Sequence, residues 1–338
     1  MVSLSTLLFG LARGFYSSLI ARTIVGITNG LSIIGKTLST EISTPELKSW
    51  SVSITNTFWA LGSTLGPYLG AKCYDSHSIS PSLSGSISVS AFGLVLIFLA
   101  LYHLREMNSS IAKVTNCNIS LLINKPNVKH LIFVFSTNTF FSSVITEIIP
   151  YWTAASYDRG GLGFDYTQIS RIYLGMIVPQ ICAQLLLYPL LDKIKSSIWI
   201  LKLGHLIHLL TFTLLPMGHF IRSDVLIIIW IVSWMVLRNI ASFINFATLQ
   251  KLTNDIVQAD MRGRLNAIQI ITSSIFQIIG MFMGGWLIAF TMTSEFVFPF
   301  NYYFVFIILS LVSLLSLFVI NKINLASFDY IQNETVLQ

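Results

Sequence analysis

The chain has 338 residues, 54% of them hydrophobic and only 10% charged, with a net charge of +6. An ordinary soluble domain carries about 25% charged residues, so this composition, with a mean hydropathy of +0.74, excludes a water-soluble globular fold. The 20 Lys and Arg stand in ones and twos between apolar runs rather than along one face, which excludes a nucleic-acid partner.

The apolar runs are about 20 residues long, the length that crosses about 30 Å of hydrocarbon at 1.5 Å per residue. A short segment at 3–12 cannot cross alone. In chain order the predicted spans are 17–40, 50–72, 86–104, 130–153, 168–190, 197–221, 225–250, 266–291 and 302–320. The fold class is therefore an all-α, polytopic helix bundle in a lipid bilayer, and no cleavable leader is expected at the N-terminus.

Lys48, Arg105, Lys113, Lys125, Lys129, Lys193, Lys195, Lys251, Arg262, Arg264 and Lys322 fall on one side of the membrane. The opposite side receives Arg13, Lys72, Arg159 and Arg222. Basic residues concentrate in cytoplasmic loops, so the 105–129 loop and the 321–338 tail are expected to be cytosolic. The sequons at Asn108, Asn118 and Asn333 should then remain unmodified. Cys73, Cys117 and Cys182 fall in an outer loop, an inner loop and a span, so neither a disulfide nor a metal site is expected.

A shift of 214 residues lays KTLSTEISTPELK (36–48) on QKLTNDIVQADMR (250–262), matching Glu41 to Asp255 and Lys48 to Arg262. The same shift sets Gly66 and Gly70 on Gly280 and Gly284, and the span at 86–104 on that at 302–320. Both copies run the same way through the membrane, as in parallel transporter halves. On this register the first half lacks its first two spans and most of its third. The expected organisation is an incomplete N-terminal half (1–104), a central loop (105–129), a C-terminal half (130–320) and a tail (321–338).

Residues 21–71 contain ARTIVGITNG, KTLSTEI and WALGSTLGPYLGA. They resemble the fourth and fifth spans of the major facilitator superfamily, with Arg22 and Gly26 on the Arg-x-x-x-Gly pattern. Gly62, Gly66, Pro67 and Gly70 lie on the fifth-span antiporter motif, with Ala71 where a second terminal glycine is usual. TEIIPYW (146–152) resembles the seventh span; RGRLNAIQ (262–269) and GMFMGG resemble the inner loop and the eleventh. The second-half inner-loop motif is present as Asp192 and Lys193, alongside Arg262 and Arg264, with Tyr188 in place of its glycine. Together these resemble the multidrug-resistance-like branch that includes the zinc-induced facilitator-like proteins. The resemblance implies a monomeric secondary carrier that moves a small molecule or ion by alternating access, coupled to protons, with no cofactor.

Charged groups inside a span cost several kcal/mol on insertion scales and are functional candidates by default. Glu147 lies in the outer half of its span and Arg238 at the middle of its own. Ser136, Ser143 and Glu147 share a helical face, as do Arg238, Ser242 and Asn245; Asn29 belongs to a polar stripe with Arg22, Gly26 and Lys36. The resemblance would place these three helices around a central cavity. For Glu147 a proton-coupling or cation-binding role competes with a structural hydrogen bond beside Tyr151 and Trp152. Arg238 is either a clamp for an anionic solute or a fixed partner of Glu147. Lys36 can snorkel to the cytosolic interface or touch solute. The glycine run at 62–70 suits helix rearrangement or plain tight packing. His205 and His208 read as a packed pair rather than a metal site. A membrane enzyme competes with the carrier reading, but neither HExxH nor a nucleophile elbow occurs; a non-transporting receptor or a transporter fragment is the third reading.

Overall fold

The computed structural model describes residues 2–12, 14–28, 43–44, 47, 49–58, 61–62, 93, 95, 127–293 and 296–323. The described residues form helices and turns without strands. The chain divides into two compact bodies, residues 1–35 with 58–115, and residues 36–57 with 116–338.

In the first body α1 (Val2–Leu11) and α2 (Phe15–Thr28) pack together. Ser17 accepts from the Gly14 N–H and donates to the Gly14 carbonyl, satisfying groups at the first turn of α2. The Arg22 guanidinium lies 4.1 Å above the Phe9 ring, so this cation is held by an aromatic face. Gly26 and Gly62 have nothing close to where a side chain would project. Asn29, Lys36, Gly66, Pro67 and Gly70 lie outside the described residues.

The second body contains α3 (residues 49–58, of which 49–57 belong here), α4 (Val128–Ala154), α5 (Tyr166–Cys182), α6 (Tyr188–Ile194), α7 (Ser197–Leu214), α8 (Asp224–Asp255), α9 (Ala259–Thr293) and α10 (Tyr303–Asn321). Five of its helical stretches are long and apolar enough to cross a membrane: Val128–Ala154, Ser197–Phe220, Val225–Asp255, Met261–Thr293 and Tyr303–Asn321. The α5 helix opens with a capping box, in which Asp165 accepts from the Gln168 N–H and Gln168 accepts in return. A π-helical turn, Ala183–Leu187, joins it to α6. Pro189 follows that turn and has no N–H to donate, so a widened turn keeps its ring clear of the preceding carbonyls.

The α4 and α9 helices approach closely because α9 presents glycines. A Cβ on Gly280 would lie 2.2 Å from Ser143 Oγ, and one on Gly284 would lie 3.2 Å from a Val144 methyl. Two glycines four apart allow this backbone approach where lipid supplies no hydrophobic push between helices. One buried cluster at the outer end of the sequence-derived topology includes Phe141, Ile148, Trp152, Phe212 and Phe306; another at the opposite end includes Leu131, Leu201, Leu249 and Ile320. Ile271, Ile275, Ile278, Phe282 and Trp286 form an exposed apolar stripe along α9, which suits lipid and not water.

Candidate functional site

Polar side chains gather in the interior of the second body, where α4, α5, α7 and α8 meet. Arg238 lies on α8 about 21 Å from its start and about 26 Å from its end at 1.5 Å per residue, and only 5% of its surface is exposed. Its Nη1 donates to Asn239 Oδ1 at 2.7 Å, while Nε and Nη2 have no partner. Asn239 in turn reaches Met176 on α5. Tyr173, also on α5, lies within electrostatic reach of both Arg238 and Glu147. Glu147 itself is half-buried, about 10 Å from the C-terminal end of α4. Among the described residues it makes no ion pair with Arg238; the ion pair found there joins Lys251 to Asp192.

The stripe of Arg238, Ser242 and Asn245 points toward α7. His208 Nε2 lies 3.1 Å from Ser242 Oγ. His205 Nδ1 lies 3.0 Å from the Leu201 carbonyl and 3.2 Å from the Asn245 amide. The Asn245 contact is made through its Nδ2, so Nδ1 accepts from the amide in one tautomer and donates to the Leu201 carbonyl in the other. Gly204 makes room for this contact: a Cβ there would come within 2.1 Å of the Asn245 side chain. Asn138 on α4 donates to the Ser242 carbonyl, and Ser313 on α10 donates to the His205 carbonyl at 2.8 Å. Both histidines are completely buried, with His205 Nε2 and His208 Nδ1 unpartnered. Among the described residues no group of three or more His, Cys, Asp or Glu could hold a metal ion. Cys182 is a free thiol.

The sequence-predicted residues therefore separate into places. Ser242 and Asn245 tie α8 to α7, and Ser143 donates to the Phe140 carbonyl and packs on Gly280. Glu147 and Arg238 both lie within electrostatic reach of Tyr173. The partnership of His208 with Ser242 and of His205 with Asn245 was not visible in the sequence pattern, although the i, i+4, i+7 spacing on α8 already set these residues on one face.

The inner-loop residues form a second polar cluster. Lys251 donates to both carboxylate oxygens of Asp192 at 2.8 and 2.7 Å, and the Ser49 hydroxyl donates to the same carboxylate. Ser49 begins α3, Asp192 lies on α6 and Lys251 on α8, so one carboxylate joins three helices. Arg262 donates to the Asn254 carbonyl at 2.9 Å, Asn266 to Asn254 Oδ1, and Gln269 to Thr253 Oγ1. Lys193 is exposed, and Arg264 is half-buried.

The sequence profile of the Major Facilitator Superfamily matches residues 1–248. The chain belongs to this superfamily. It is thus a multi-pass integral membrane protein of a transporter family and not an enzyme. Zinc Induced Facilitator-Like 1 of Arabidopsis thaliana is 24% identical over 307 residues, covering 81% of this chain and 64% of that protein. The chain therefore spans about two thirds of that relative's length. In fold it is similar to the human organic anion transporter MFSD10 (TM-score 0.71, 17% identity, 94% of this chain and 74% of that one). It is also similar to a bacterial homologue of the iron transporter ferroportin in its outward-facing state (TM-score 0.72, 14% identity, 95% and 80%).

Proposed function

We propose that the protein is a secondary active carrier that moves a small solute by alternating access, coupled to protons, with the Asp192 junction as its cytosolic latch. The observation that carries this reading is the seam between α3 and the ends of α5, α6 and α8. It is closed by the Asp192–Lys251 pair and the Ser49 hydroxyl. Nearby, Ser53 Oγ, Asn56 Nδ2 and both polar atoms of the Gln184 amide are buried without partners. Each such atom costs about 1–3 kcal/mol. A contact that combines a strong charged clasp with unsatisfied polar groups is close to balance between closed and open, which is what a carrier that must open to each side in turn requires.

Proton coupling falls to Glu147. It is the carboxylate set well inside a described span, half-buried and not locked in an ion pair with Arg238. A carboxylate that is not fixed by a permanent cation is able to gain and lose a proton as its surroundings change through the cycle. In the full-length protein, Glu147→Gln should retain solute binding and exchange, because the amide imitates the protonated acid, and should lose accumulation driven by a proton gradient. Normal accumulation with an unchanged pH profile in proteoliposomes would return Glu147 to a structural role.

A further inference from the structure

We infer that the solute is an anion and that Arg238 is its binding residue, through a carboxylate or phosphate-type group. The inference rests on the reading of this body as part of a carrier and names the substrate class of its interior site. A guanidinium keeps its charge inside a protein, and burying that charge near the middle of a span is among the largest costs a membrane helix can carry. Structural arginines offset it with a carboxylate. Here Asp192 is already held by Lys251, Glu147 is not paired to Arg238, and among the described residues the polar contact of the guanidinium is a neutral amide, Asn239.

The two donors left over, Nε and Nη2, belong to the planar fork that matches two oxygens of a carboxylate or phosphate. Two groups around the guanidinium suit the same ligand. Tyr173 from α5 lies within electrostatic reach of the guanidinium, as does the buried His208 ring from α7, and neither brings negative charge at neutral pH. A cationic solute would meet Arg238 with like charge in a water-poor interior, a repulsion of several kcal/mol at low effective dielectric.

The two readings of this arginine predict opposite signs in one measurement. If a carboxylate of the protein pairs with Arg238, then Arg238→Gln orphans a buried acid and lowers the melting temperature of the ligand-free protein in detergent. If the counter-ion is the solute, removing the unpaired charge raises that temperature by about 2–4 °C. The binding arm uses malate and methylphosphonate as anionic probes, with choline as the cation and sorbitol as the neutral control. The expected result is stabilisation of the wild type by an anionic probe only, a loss of affinity of about tenfold or more in Arg238→Gln, and a smaller loss in Arg238→Lys. A lowered melting temperature, stabilisation by choline, or absence of any response to the anions would overturn the inference. Arg222→Ala, which removes an exposed cation, should bind the anion as wild type does, and binding is read in detergent without a proton gradient, so failed proton coupling and failed anion recognition are read separately.

Discussion

Two charged places in the second body answer the same physical problem in opposite ways. At one end of the helices Asp192 is met by Lys251 and a serine hydroxyl, so its charge is balanced within the protein. In the interior, Arg238 is as deeply buried, yet its charge is met by one amide and two of its donors by nothing. A matched charge fixes helices to one another, whereas an unmatched one waits for something that comes and goes. In the proposed carrier the first is a fastening and the second a receptor, although both look alike in sequence as single ionisable residues in apolar surroundings.

Breaking the fastening should give the largest effect. Lys251→Met leaves Asp192 largely buried with the Ser49 hydroxyl but no cation, which should cost about 3 kcal/mol, read as a lower melting temperature in detergent. The double variant with Asp192→Asn should recover most of that loss; additive losses in the cycle would show that the pair does not couple. Next comes the packing behind the receptor. Gly204→Ala places a methyl against Asn245 and should cost about 1–3 kcal/mol by forcing that side chain off His205. Asn245→Ala combined with it should relieve the strain, and a Gly204→Ala protein as stable as wild type would show that the two helices separate easily. The smallest effect belongs to Lys193, exposed beside Asp192, where Lys193→Ala should change stability by less than about 0.5 kcal/mol.

The described spans follow the hydropathy pattern closely: the run expected at 197–221 is the helical stretch Ser197–Phe220, and that at 302–320 is Tyr303–Asn321. Length and apolarity alone decide such limits in a bilayer, because the backbone must satisfy itself within each segment. The site was legible only in part. Helical spacing put Arg238, Ser242 and Asn245 on one face, but spacing does not say which helix that face meets. The meeting with His205 depends on Gly204, which is 41 residues from Asn245 and carries no chemical signal until the helices are packed. The absence of an ion pair between Glu147 and Arg238 was equally hidden, since helical spacing within α4 and α8 does not fix the distance between residues on different helices. For the first-half glycine motif, Gly66, Pro67 and Gly70 lie outside the described residues; their repeat partners Gly280 and Gly284 serve close packing against α4.

The π turn at Ala183–Leu187 sets the phase of everything that follows it. Each α-helical residue advances the side chain by about 100° around the axis, and the extra residue held in that turn rotates α6 by about that angle relative to an uninterrupted helix. Asp192 lies five residues beyond the turn, so the widened turn decides the bearing on which its carboxylate leaves the helix. Drawn back to a regular α-turn without loss of a residue, the same sequence would carry that carboxylate about a quarter of a revolution from Lys251 and Ser49. The clasp is therefore encoded as an angle in the backbone of α5 and α6 as much as in the identity of the residues that close it.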